Sequence, residues 1–289
     1  SRGQARYFQT ADRAKPLPRY ALRGGRAALA VLACALPLLF GFVAPAAILA
    51  GLTFAGEGAR LGPRFWGLAA NTLTLAIFTA VLALAVSLLL AYAHRLHPGR
   101  WTEGAARLAG MGYAMPGSII AVGALIPLGA FDNAVDAWMR ATFGVSTGLL
   151  LTGTVAALVF AYLVRFLAVS LQTVEASLAK ITPSMDGAAR TLGARPGRIL
   201  MRVHAPLLRP SLLAALLIVF VDVTKELPAT LLLRPFNFDT LAVHAYNLAA
   251  DERLAEAAAA SLGIVAAGLL PIVVLARAAA RTRAEADVA

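Results

Sequence analysis

Six apolar runs dominate this chain, and each is long enough to cross the hydrocarbon core of a bilayer, which takes roughly 20 helical residues. They cover Ala27–Leu52, Gly67–Tyr92, Ala105–Leu128, Leu149–Leu171, Ser211–Leu233 and Ala257–Ala276. Backbone amides find no water inside lipid, so runs of this kind are helical. The reading is an all-α integral membrane protein with six transmembrane helices. Composition agrees: 60% of residues are hydrophobic and 14% charged, where a soluble domain is roughly half apolar and a quarter charged. The lone cysteine, Cys34, lies inside the first run. One cysteine leaves no disulfide framework or cysteine metal site within the chain.

The net charge of +11 is explained by where the charges sit. Seven Lys/Arg precede Ala27, three fall between Arg95 and Arg107, six between Lys180 and Arg209, and three follow Ala276. Nineteen of the 26 basic residues therefore lie on one side if the N-terminus is cytoplasmic. The positive-inside bias favours that orientation, and an even number of spans returns the C-terminus to the cytoplasm. Glu57, Asp132, Asp136, Asp239, Asp251, Glu252 and Glu256 fall on the outer side. Nucleic-acid binding is a poor reading, since no basic patch combines with exposed aromatics. The chain divides into a basic tail or linker (1–26), a first span (27–52), a core (67–277) holding a long inner loop (174–210), and a second tail (278–289). The first apolar run lies too far in for a cleavable signal, and the start at Ser1 suggests the back half of a longer polypeptide.

The inner loop is the most informative segment. Thr182-Pro183 is a helix-start signal, a capping oxygen followed by proline at the first helical position. Gly193 is the matching stop. Between them Ala188, Ala189 and Leu192 form a small face, and Pro196 opens a second short helix expected to run to Ala205-Pro206. The product is a knuckle whose small side chains allow another protein to approach closely.

This loop resembles the "EAA" loop of ABC importer permeases. The resemblance rests on Ala188-Ala189, Gly193 four residues later, Val203 ten residues further on, and Pro206. Gly187, preceded by Asp186, replaces the motif's glutamate, and Ala205 replaces its usual leucine. Asn71-Thr72-Leu73, read as opening the second span, is similar to the start of that family's shared core. Tyr113-Ala114-Met115-Pro116-Gly117 resembles its proline–glycine element. Lys225-Glu226-Leu227-Pro228 through Pro235, with Phe238-Asp239-Thr240-Leu241-Ala242, is similar to the ferric-iron subgroup, whose members commonly fuse two permease halves. The resemblance implies a type I importer (MetI-like) permease fold. It also implies a cytoplasmic ABC ATPase dimer coupled through Asp186, Gly187, Ala188, Ala189, Leu192, Gly193, Val203 and Pro206. A periplasmic substrate-binding protein and a second permease half complete the implied assembly.

Charges inside an apolar run are costly and should face protein or a wet cavity. Asp222 lies about halfway along the fifth run, with Lys225 and Glu226 following. Asp222 and Lys225 are three apart and can pair on one face. Pro228 frees the carbonyl of Thr224 beside them. With Pro116 and Gly117, these residues are read as a transport path or gate; the plain alternative is a static packing network that includes Arg165. His244 and Tyr246 are metal ligands by type, yet they fit better on a short outer amphipathic helix with Leu241, Ala245 and Leu248 on one face. His94 and His97 read as solvated. No lysine is followed by Ser or Thr, so a Walker loop is absent, and no nucleophile–base set is recognisable. The chain is expected to be no enzyme and to bind no cofactor, with ATP and Mg on the partner ATPase. Cargo is read as ferric iron, with thiamine, phosphonate or another small solute as alternatives. An ion-gradient-driven secondary transporter is the rival of a different class.

Overall fold

The computed structural model describes residues 20–55 and 61–288. The basic stretch 1–19 and Glu57 lie outside the described residues, as do the side chains of the tail 278–289.

Six helices are long and apolar enough to cross a membrane: Gly25–Phe54, Pro63–Leu96, Gly117–Phe143, Val155–Leu178, Pro196–Thr224 and Leu254–Arg277. The first is built of α1 (Gly25–Leu38) and α2 (Ala44–Ala55), joined by a π-helical turn at Leu39–Val43. Next come α3 (Pro63–Leu96), α4 (Arg100–Met111), α5 (Gly117–Phe143) and α6 (Val155–Leu178). The long loop after α6 supplies α7 (Pro183–Thr191) and α8 (Pro196–Ile199). The chain ends with α9 (Ala205–Thr224), α10 (Pro228–Leu233), α11 (Leu241–Ala250) and α12 (Leu254–Val288). The 34 residues of α3 span about 51 Å, well beyond the roughly 30 Å hydrocarbon core. It therefore runs from one end of the bundle, near Asp239, to the other, near Asp186.

The core lies where α3, α6 and α9 meet. Its contact faces carry small residues: Ala76, Ala80 and Ala83 on α3, Ala157, Ala161 and Ala168 on α6, and Ala215 on α9. Lipid is as apolar as leucine, so helices associate through close backbone approach and not through burial from water. None of the residues of α1 is buried.

Three expected boundaries are corrected. The third span is Gly117–Phe143, not Ala105–Leu128. Pro116 biases Met115 to an extended conformation (φ −91°, ψ 138°), which ends the preceding helical segment. Arg107 thus belongs to α4, where it pairs with Glu103 on an exposed face at 3.6 Å. The expected second short helix does not stop at Ala205-Pro206. A π-helical turn at Leu200–His204 carries α8 straight into α9. Such a turn re-registers the backbone ahead of Pro206, which cannot donate a hydrogen bond. The fifth span consequently ends at Thr224, placing Asp222 in its last turn and not halfway. Asn71 and Thr72 sit two turns inside α3, which starts at Pro63.

Asp132, expected in an outer loop, is a fully buried residue of α5. It accepts bonds from the amides of Leu151 and Thr152 and from the Thr152 hydroxyl, 2.5–3.2 Å away. One carboxylate thereby folds the loop leading into α6.

Candidate functional site

The knuckle forms much as its residues dictate. Pro183 is at the start of α7, and Thr182 before it is extended. The Thr182 hydroxyl does not cap the helix as expected; it pairs with Ser184 Oγ at 2.9 Å. Gly193 has φ +76°, the left-handed conformation that glycine adopts without strain. Its amide donates to Arg190 O at 2.9 Å, and that of Ala194 donates to Ala189 O at 3.0 Å. These two bonds close α7 in a Schellman motif. Gly187, Ala188 and Gly193 are exposed, Ala189 is half-buried, and Leu192 is 88% exposed. Nothing lies within 4 Å of where a Cβ on Gly187 would be. Val203 and Pro206 are not part of this face; they ride on the continuous helix behind it.

Asp186 points inward, away from the docking face assigned to it. Its Oδ2 accepts from Arg95 Nε at 2.9 Å and its Oδ1 from His204 Nε2 at 2.7 Å. Burial acts to raise the Asp186 pKa, and the bonds from Arg95 and His204 outweigh it, so the net shift is downward. A carboxyl depressed on folding stabilises the fold above its unfolded pKa of about 3.9 and loses that contribution only as pH falls through the lower folded value. Arg95 also donates to Leu178 O at 2.8 Å and Ile181 O at 3.0 Å, capping the end of α6. Tyr92, one turn earlier on α3, donates to Pro196 O at 2.7 Å.

At the other end of α9 the helix breaks at Lys225–Leu227 and restarts at Pro228. Glu226 is 5% exposed. Its carboxylate accepts from the amides of Ala229 and Thr230 at 3.1 Å and from the Thr230 hydroxyl at 2.8 Å. A carboxylate at a helix N-terminus complements the dipole of α10. Arg165 on α6 donates to the same carboxylate at 3.1 Å, and Tyr162 bonds Thr230 at 2.5 Å. Gly117 lets α5 reach this pair: a Cβ there would lie 2.0 Å from Arg165 Nη1 and 2.6 Å from Glu226 Oε1. Gly112 is tighter still, with a Cβ falling 1.7 Å from Val164 O.

The structure thus brings together Gly117 and Glu226 of the six path residues, beside the Pro228 helix start, and adds Arg165, which the sequence offers only for a packing network. Asp222 and Lys225 form a separate pair at 3.0 Å, with the lysine largely exposed, and Pro116 is exposed. Beyond the break, Arg234 pairs with Asp239. Asn71 Nδ2 donates to Asp239 O at 3.1 Å, and the Leu241 amide donates to Thr72 Oγ1 at 2.9 Å. His244 lies on α11 and lines a cavity of about 270 Å³ with Arg64 and Asp239. Burial, then the charge of Arg64, lowers its pKa. No group of three metal-ligating side chains occurs among the described residues. Sequence reasoning missed Arg95, His204, Tyr92, Tyr162 and Thr230, whose partners are set by folding and not by spacing.

No family model matches the chain. It is 29% identical over 118 residues to the Fe(3+)-transport system permease protein FbpB 2 of Haemophilus influenzae, covering 41% of this chain and 23% of that one. It is 32% identical over 133 residues to a Salmonella typhimurium protein named for 2-aminoethylphosphonate transport, the permease protein PhnV, covering 46% of this chain and 50% of that one. The chain therefore spans about a quarter and a half of these relatives. In structure it matches a chain of a bacterial ABC transporter involved in import of the polysaccharide alginate, with a TM-score of 0.68 at 16% identity, covering 88% of this chain and 95% of that chain. A second alginate transporter structure, in complex with a pentasaccharide-bound periplasmic protein, gives 0.66 at 16% identity, covering 86% and 92%. The fold is that of an ABC importer permease, with six helices long and apolar enough to make it a multi-pass membrane protein. Within that class its sequence resembles the ferric type.

Proposed function

We propose that this chain is one membrane half of an ATP-driven, binding-protein-dependent importer whose cargo is ferric iron. Both termini are cytoplasmic, so the knuckle of α7 faces a cytoplasmic ABC ATPase dimer that carries ATP and Mg. A periplasmic binding protein delivers cargo to the Asp239 end, and a second permease half completes the path. The observation that carries this reading is the glycine-closed, fully presented face of α7 at the basic end of the bundle. ATP-driven closure of the ATPase pushes that face. The helices rock as rigid bodies and shift access from one side to the other. The broken helix at Lys225–Leu227, with Glu226, Arg165 and Gly117, serves as the gate. Tight coordination there is not needed, since a conduit must release what it passes. The similarity to PhnV supports a second cargo, 2-aminoethylphosphonate.

Gly187→Leu tests the docking role at a position where an added Cβ meets nothing of its own fold within 4 Å. The variant is expected to insert normally and to lose roughly tenfold or more in uptake, within the usual range of coupling energies. Uptake equal to wild type would remove the knuckle from the mechanism. Competition between labelled ferric iron and 2-aminoethylphosphonate in the same vesicles assigns the cargo. Uptake that persists without the ATPase but collapses with an ionophore would favour gradient-driven transport.

A further inference from the structure

Among the described residues, Asp186 makes all the ion pairs that join α7 to the rest of the bundle. Its two partners stand on different helices. Arg95 is in the last turn of α3, and His204 is in the π-helical turn that leads into α9. All three donor groups of Arg95 used here are committed: one to Asp186 and two to carbonyls at the end of α6. His204 is fully buried, and its Nδ1 has no partner among the described residues. A carboxylate accepts only, so the ring proton sits on Nε2 and points at Asp186. The edge of the Tyr92 ring packs on the His204 ring, with centroids 5.7 Å apart. Both Asp186 oxygens are engaged within the fold, one by each partner.

The opposite ends of the same two helices hold the two ends of the stretch from Lys225 to Thr240, which contains the break and α10. α9 ends at Thr224, where the break begins. α3 holds the other side of it through Asn71 to Asp239 O and Thr72 to the Leu241 amide. A helix is stiff along its axis, and α9 alone covers about 30 Å at 1.5 Å per residue. A displacement of Asp186 therefore reaches the start of the segment through α9 and its end through α3.

Building on the importer reading above, we infer that Arg95, Asp186 and His204 form a force-transmitting clamp that makes α7, α3 and α9 move as one body, and that Asn71 and Thr72 deliver that motion to the gate segment. These are positioning residues. They touch neither cargo nor the ATPase. In the wild type the clamp passes a push on Gly187 and Leu192 to the chain around Lys225–Leu227. Without it, α7 yields locally and the stroke is lost.

The test uses the whole complex, both permease halves with ATPase and binding protein, in proteoliposomes. Three quantities are read: co-purification of the ATPase, the rate of ATP hydrolysis, and cargo moved per ATP. Arg95→Met and His204→Leu are expected to keep the ATPase bound and hydrolysing within about twofold, while cargo per ATP falls about tenfold. His204→Gln, whose amide restores a donor toward Asp186, should keep at least about half of the wild-type ratio. Arg95→Met combined with Thr72→Val should be no worse than Arg95→Met alone, since residues acting in series are not additive. A normal cargo-to-ATP ratio in Arg95→Met overturns the clamp, as does loss of ATPase binding in both single variants. Should the variants fail to fold, spin labels at Arg190 and Arg202 in otherwise wild-type protein decide it. Their separation should not change on adding ATP, and a shift would show that α7 and α9 do not move together. If the wild type neither binds nor needs an ATPase, the importer reading fails and takes the clamp with it. If the wild type couples and Arg95→Met couples equally well, only the clamp fails.

Discussion

Glu226→Ala is expected to cost about 3–5 kcal/mol of stability, because it leaves the Arg165 guanidinium in a mostly buried site with no counter-charge. The same change removes the acceptor for the Ala229 and Thr230 amides at the start of α10. Survival after heating in detergent, followed by size-exclusion chromatography, reads the loss. Arg165→Met with Glu226→Gln removes both charges while keeping volume and one acceptor. Replacing a buried pair by groups of similar shape is often neutral, so this double variant should recover most of the lost stability. Transport separates the two readings of the cluster. A double variant that is stable and inactive makes the pair part of the gate; one that is stable and active leaves it as packing.

Gly112→Ala is expected to be the more damaging of the two small substitutions at the α4–α5 break. Its Cβ would meet the backbone carbonyl of Val164 at 1.7 Å, and backbone on α6 cannot step aside. Overpacking of this kind costs about 1–3 kcal/mol and occasionally more, and a clash with main chain belongs at the upper end. Gly117→Ala meets the ends of flexible side chains, Arg165 Nη1 and Glu226 Oε1. These can move, at the expense of their hydrogen bond. Gly112→Ala should therefore fail to accumulate as folded protein, while Gly117→Ala folds with impaired uptake. Gly123→Ala, which meets nothing within 4 Å, is the control. Equal yields for all three would mean that α5 and α6 are not in the contact described.

The number of spans was legible because it depends only on apolar length. Where helices break was less so. Hydropathy is blind to the backbone, and it ran the third span straight through Pro116 and the fifth through Leu227-Pro228, although both prolines were noticed. The Glu226–Arg165 cluster was half visible. Glu226, Pro228, Gly117 and Arg165 stand out as charges and breakers inside apolar runs. Thr230 and Tyr162 look like ordinary helix residues and gain meaning only when α6 and α10 pack. The Arg95–Asp186–His204 cluster was invisible. Arg95 reads as one more inner-side cation, and His204 is buried in a run of arginines. Their common partner, Asp186, is 91 residues from one and 18 from the other. The start and stop of α7 were legible, because a glycine stop and a proline start are local events. The direction of Asp186 was not, since a helix of nine residues can present any face until its neighbours are known.

The central claim is that the outward face of α7 meets a nucleotide-hydrolysing partner on the inner side of the membrane. Leu192→Cys in a Cys34→Ser background tests it directly, since Cys34 is the chain's one native cysteine. A short bifunctional reagent should join that cysteine to the ATPase, and a membrane-impermeant maleimide added to intact cells should leave it unlabelled. Labelling from outside, or no ATPase adduct in actively transporting membranes, would contradict the account.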